Sequence, residues 1–148
     1  MIQMMILLEH MKYFKWSAVS QSEFFGSDKL NFEMRKGSTK NSLVAFVNVE
    51  MEDPKDTKRI IRAAKSIDKI ARELEVTNVI LYPFAHLVAK NPAEPKQAIG
   101  TLMSLETELS KIKNSYKIIS VPFGCSKMRE GMVLGHERSV LLRSIRSG

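Results

Sequence analysis

The middle of the chain alternates two hydrophobic periods, and that alternation limits the fold more than any other feature of the sequence. Residues 43–49, LVAFVNV, are β-branched, aromatic and continuous, the pattern of a strand. The segment EDPKD follows. Asp53 suits the cap of a helix and Pro54 its first position. Ile60, Ile61, Ala64, Ile67, Ile70, Ala71 and Leu74 then recur at three- and four-residue spacing, which predicts an amphipathic helix over 54–75. NVILY at 78–82 predicts the next strand. After the loop KNPAEP, Ile99, Leu102, Met103, Leu105, Leu109 and Ile112 mark a second helix, from Pro95 to Lys113. YKIISV at 116–121 predicts a further strand, ended by Pro122. Two strand–helix–strand units in series need crossovers, and right-handed crossovers place their helices against a sheet.

The flanks make a purely parallel sheet unsuitable. IQMMILL at 2–8 and KYFKWSAV at 12–19 predict two leading strands, and 20–41 reads as a long irregular loop. Residues 123–145 hold one more strand and a terminal element, VLLRSI, whose pattern fits helix or strand. The expected architecture is mixed α/β with both helices on one side. At 148 residues the expectation is one domain, 1–148.

Composition narrows the class of partner. No apolar run reaches the roughly 18 residues that cross a bilayer, and the first ten residues lack a basic signal-peptide start, so a cytoplasmic protein without membrane contact is expected. The single cysteine, Cys125, cannot form an internal disulfide. Lysine and arginine number 23 against 16 aspartates and glutamates, a net charge of +7. Such a surplus points to a polyanion, nucleic acid first, and its spread along the chain suits a folded surface. Local enrichment occurs at 29–40 and 127–146.

One pattern occurs twice. NVILYPFAHL sets Pro-Phe after a strand, and KIISVPFGCSK does so again about forty residues later. Sites in α/β sheets gather at the carboxyl ends of strands. If the two strands run parallel, Pro83–His86 and Pro122–Lys127 share one edge. His86 and Lys127 would then face one pocket, with Phe84 and Phe123 as walls and Gly124 letting a ligand approach the backbone. Each residue also has an ordinary structural explanation: a packed loop histidine, a solvated lysine, strand terminators resting on the core. No P-loop or GxGxxG is present. His10, His86, His136 and Cys125 lack the close spacing of metal ligands, so neither metal nor cofactor is expected.

At these residues the chain resembles a known family. YPFAHL at 82–87, AFVNVE at 45–50, PFG followed by Lys127, GH at 135–136 and ILLEH at 6–10 are similar to the N-terminal editing domain of archaeal threonyl-tRNA synthetases. The likeness runs along almost the whole chain and is poorest over 20–41. It implies a D-aminoacyl-tRNA deacylase-like three-layer β/β/α fold, with mixed sheets and two long helices. It implies a single editing domain that removes L-serine from mischarged seryl-tRNA(Thr), and a homodimer. Its partners would be the aminoacylated 3′ end of tRNA(Thr) and either further synthetase domains or a separate charging chain.

The resemblance also implies which residues take part. The substrate would be read largely by backbone, at Val49, Pro83, Ala85, Phe123 and Gly124. Lys127 would hold the serine moiety or the water, and His86 would fix local geometry. The substrate's own ribose 2′-OH would help to position water, so no side-chain triad is needed. The sequence departs from the family's pattern at three places, one of them after His10, where Met11-Lys12 stand in place of the common small or acidic residues. Ser126 stands where a tyrosine often precedes the lysine, and Val140 where a glutamate often follows thirteen residues later. These departures bear on rate and fine specificity. They keep two alternatives open: a D-aminoacyl-tRNA deacylase, and a tRNA-binding module without activity.

Overall fold

In the computed structural model, residues 4–21, 36–50, 56–84, 94–123 and 125–146 are described. The elements are β1 (Met4–Gln21), β2 (Lys36–Asn48), α1 (Thr57–Glu73), β3 (Asn78–Pro83), α2 (Pro95–Ser110), β4 (Lys117–Ser120), β5 (Cys125–Val133) and β6 (Val140–Ile145). The six strands form one mixed sheet in the order β4-β3-β2-β1-β5, with β6 also paired to β1. β2, β3 and β4 are mutually parallel, while β1 runs antiparallel to β2, β5 and β6.

The central strands are buried on both faces, which explains their continuous apolar runs. Leu43, Ala45, Val47, Val79 and Leu81 point to one face. There they meet Ile60, Ala64 and Ile67 of α1 and Ala98, Leu105 and Leu109 of α2. Val44, Phe46, Ile80 and Tyr82 point to the other face, where the buried cluster contains no helical residue. Both helices therefore lie on one side, as the crossover argument requires.

The second face is covered by the sheet itself. Phe14 pairs in register with Thr39 of β2, seven residues from Phe46. On a flat strand that separation is about 23 Å, at roughly 3.3 Å per residue. The rings of Phe14 and Phe46 are instead 6.4 Å apart, and Phe14 lies 5.8 Å from Tyr82. β1 and β2 must fold over near their middle. Asn41, at φ +47, sits at that point, and β1 shifts register against β5 between Met11 and Phe14. The even-numbered side chains of β1 change sides there, from Met4, Ile6 and Leu8 toward the helices to Phe14 and Trp16 toward the second layer. The β/β/α layering is thus built by one folded sheet.

Several local expectations are corrected. The two leading strands are one, because the bend interrupts the side-chain pattern without interrupting the ladder. Residues 36–41, which the sequence pattern assigns to a loop, are the start of β2, whose alternating burial there is that of a half-exposed strand. Helix α1 begins at Thr57 with Asp56 as its cap, its carboxylate accepting from Arg59 N–H at 2.9 Å. Asp53 and Pro54 lie outside the described residues. VLLRSI is a strand, β6.

Candidate functional site

Three parallel strands end on one edge. β2 reaches it at Asn48, β3 at Pro83 and β4 at Ser120. The ladder continues a step beyond. Phe84 N–H donates to Val47 O at 2.9 Å, and Val121 N–H donates to Leu81 O at 2.9 Å. The two Pro-Phe segments therefore share an edge, as the strand-end rule anticipates.

Lys127 is brought to this edge by the folded sheet. It pairs with Ala18 of β1, three strands away from β4 in the sheet order. Yet its Nζ donates to Pro122 O at 2.9 Å and lies 5.4 Å from the ring centre of Tyr82. Lys127 and Arg129 alternate along β5, so both face inward. Cζ of Arg129 lies 5.2 Å from the Phe84 ring and 5.6 Å from the rings of Phe46 and Tyr82. Two cations thus stand over an aromatic floor at the ends of β2 and β3. Glu9 is the carboxylate whose charge Arg129 feels. Burial pushes its carboxyl above the usual range, and Arg129 pulls it partly back.

The expected site residues are placed as follows. Val49 is buried on the helix-facing cluster, just past the end of β2. Pro83 is half-buried at the end of β3. Phe123 is half-buried, and its ring packs on the helix-facing cluster, whereas Phe84 packs on the opposite one. The two phenylalanine side chains are therefore not facing walls of one pocket. Phe84 and Phe123 lie two residues beyond Tyr82 and Val121, which both face the second layer, so strict alternation would send both rings there. Phe84 follows that alternation, whereas beyond the end of β4 the chain departs from it and Phe123 turns to the helix side. Ala85, His86 and Gly124 lie outside the described residues, so the juxtaposition of His86 with Lys127 does too.

Three features escaped sequence reasoning. In the sequence Arg129 is one basic residue within the enrichment at 127–146, and its two-residue spacing from Lys127 is the signal that the two share a face. The sequence marks Tyr82 only as a strand residue, yet it forms the floor beneath both cations. At the end of β2, buried Asn48 donates to buried Glu50 at 3.1 Å. A carboxylate ending an apolar strand was the sign of that pair.

A model of the archaea-specific editing domain of threonyl-tRNA synthetase matches residues 4–145. The chain belongs to this family. Curated threonine–tRNA ligases are similar along nearly all of it. That of Methanothrix thermoacetophila is 32% identical over 98% of this chain, and that of Hyperthermus butylicus 34% identical over 95%. The chain spans only 23% of each relative's length. Among solved structures, a probable eukaryotic D-amino acid tRNA deacylase superposes with TM-score 0.66 at 8% identity, covering 97% of this chain and all of that one. A c-Myc DNA unwinding element binding protein superposes at 0.61 with 12% identity, covering 94% and 97%. These two likenesses establish the deacylase-like fold. Family membership sets the editing domain's class of chemistry as aminoacyl-tRNA ester hydrolysis.

Proposed function

We propose that this domain is a post-transfer proofreading hydrolase that removes L-serine from seryl-tRNA(Thr) and spares threonyl-tRNA(Thr). The observation that carries the reading is the position of Lys127. Its ammonium group stands at the shared carboxyl ends of parallel strands, within 2.9 Å of the Pro122 carbonyl. The need is chemical. Serine lacks one methyl group of threonine, a difference worth only about 1–3 kcal/mol to a synthetic site, so a second hydrolytic site is required.

In the reaction, water attacks the ester carbonyl carbon, the bond to the ribose oxygen breaks, and serine and free tRNA leave. Lys127 donates hydrogen bonds to the serine moiety or the water and balances the negative charge that develops. The substrate's 2′-OH helps to position the water. The strand-end backbone at Val49, Pro83, Ala85, Phe123 and Gly124 reads the substrate, and His86 holds local geometry. The proposed setting is cytoplasmic, with the single domain 1–148 acting as a homodimer. It works beside further synthetase domains or a separate charging chain. Among the described residues, no helix is long and apolar enough to cross a membrane.

The test is deacylation by the purified chain. Seryl-tRNA(Thr) is hydrolysed much faster than threonyl-tRNA(Thr), and Lys127→Met slows the seryl reaction by about a hundredfold, the scale of losing one charge-stabilising donor. Equal rates on the two esters defeat the serine reading. The fold neighbour among deacylases favours a second reading, hydrolysis of D-aminoacyl-tRNA, which a D-tyrosyl-tRNA assay separates.

A further inference from the structure

We propose that Arg129 is an anion-binding residue that grips a phosphodiester of the substrate's single-stranded 3′ end. The inference rests on the reading of the strand ends as a tRNA site, and it names a contact that neither the family pattern nor the strand-end motifs assign.

The guanidinium is positioned but unspent. Three rings hold it, with Cζ within 5.2–5.6 Å of Phe84, Phe46 and Tyr82. Such cation–π contacts fix a cation without using its N–H donors. Among the described residues, no carbonyl or carboxylate hydrogen-bonds to it. The residue is exposed, so a ligand can reach it. Lysine 127 contrasts with it, having an ammonium already engaged with Pro122 O. Arginine's planar fork suits a phosphate better than a compact ammonium would. Phe84, the half-buried ring of the aromatic floor, also suits a neighbouring base, because single strands are bound by rings and cations together. Lys127 then serves the ester and Arg129 the backbone behind it, two residues apart on one face of β5.

Glu9 is the competing anion. Its carboxyl feels Arg129 but is held back by burial, and no hydrogen bond ties the two among the described residues. A phosphodiester carries a charge that remains ionised throughout the working range and reaches the guanidinium from the open side.

The experiment measures binding of uncharged tRNA(Thr) over a salt series, with the full tRNA and with one lacking its last three nucleotides. Arg129→Met keeps apolar contact with the rings and removes the charge; Arg129→Lys keeps the charge and loses the fork. For Arg129→Met the expected result is about tenfold weaker binding of the full tRNA. The slope of log K against log salt should be shallower by about 0.7, the value for one phosphate on a single strand. Arg129→Lys keeps the slope and binds with intermediate affinity. With the truncated tRNA, wild type and Arg129→Met are equal. Unchanged affinity and slope for Arg129→Met overturn the proposal, as does the same loss on truncated tRNA, or wild type that binds no tRNA. Failure of the editing reading is distinguishable. Arg129-dependent tRNA binding without ester hydrolysis leaves the anion site standing and removes the hydrolase. Seryl-specific hydrolysis with a KM indifferent to Arg129→Met does the reverse.

Discussion

At the scale of residues, the inner face between the two β layers holds charge close to apolar rings. Glu9 carries the cost. Its carboxyl is shifted above the ordinary range by burial, so the folded chain holds that proton more tightly than the unfolded chain does. A raised folded value means that stability falls as pH rises from the unfolded value of 4.5 through the raised one. At neutral pH the penalty is fully present. Because Glu9 is only partly buried and solvent screens much of the effect, Glu9→Gln should raise the melting temperature at pH 7 by only about 1–2 °C. The gain should vanish below the ordinary carboxylate range, which calorimetry at two pH values checks. Tyr116 is shifted in the same direction, first by burial as well and further by a neighbouring carboxylate. It is pushed upward by burial and by donating to Asp68 Oδ1 at 2.6 Å, which ties α1 to the start of β4. Lys127 and Arg129 were legible in the sequence as basic residues, but their common destination was not. Which rings a cation meets depends on a fold-over that brings together residues 45 to 83 positions apart.

At the scale of elements, the bend is pinned by a chain of hydrogen bonds centred on Asn41. Its Nδ2 donates to Glu75 O at 3.0 Å, so Oδ1 faces His10 and accepts from His10 Nε2–H at 2.8 Å. His10 Nδ1 then accepts from His136 Nε2–H at 2.8 Å, and His136 Nδ1 accepts from Arg138 N–H at 3.2 Å. β5 and β6 lie end to end along β1, interrupted only where residues 134–139 loop out and set His136 against His10. Glu75, at φ +53, closes α1 in the same place. Glu75 N–H donates to Arg72 O, and Val76 N–H donates to Ala71 O, the pairing of a left-handed helix terminus. Asn41 thus supplies a positive φ, an acceptor and a donor at once. Asn41→Ala loses all three and should cost about 2–4 kcal/mol in urea denaturation, mainly from a buried His10 N–H left without an acceptor. Asn41→Gly restores only the backbone freedom and should recover about 1 kcal/mol of that loss. Equal losses would show that the positive φ carries no strain. The helices were legible because their period is local. This junction was not, since nothing in Asn41, His10 or His136 alone indicates which would meet.

At the scale of the molecule, two questions concern what lies outside the chain. β6 pairs only with β1 among the described residues. The β5–β6 segment exposes Met128, Met132, Leu134, Val140 and Leu142. An open edge with exposed apolar side chains is the kind of surface that proteins cover. It supports the proposed homodimer. Sedimentation should show a dimer at micromolar concentration and a shift to monomer for Leu142→Glu. A wild-type monomer would remove the homodimer. Val140 is itself half exposed on this edge, at 51%, so the position where the family often has a glutamate carries an apolar group on the surface.

The sequence by itself determined the strand–helix alternation, the parallel strands with a shared carboxyl edge, and the two helices on one face. These follow from periods of two and 3.6 and from the handedness of crossovers, which are local or nearly local properties. The motifs YPFAHL and PFG followed by Lys127 also carried the family, later matched over residues 4–145. Only the tertiary structure decided that one sheet folds on itself, that Phe84 and Phe123 part to opposite faces, and that Lys127 and Arg129 arrive over Phe46, Tyr82 and Phe84. Those outcomes depend on where a long strand bends and which distant faces then bury one another. The balance is struck between non-local surfaces, and no short stretch of sequence contains both sides of it.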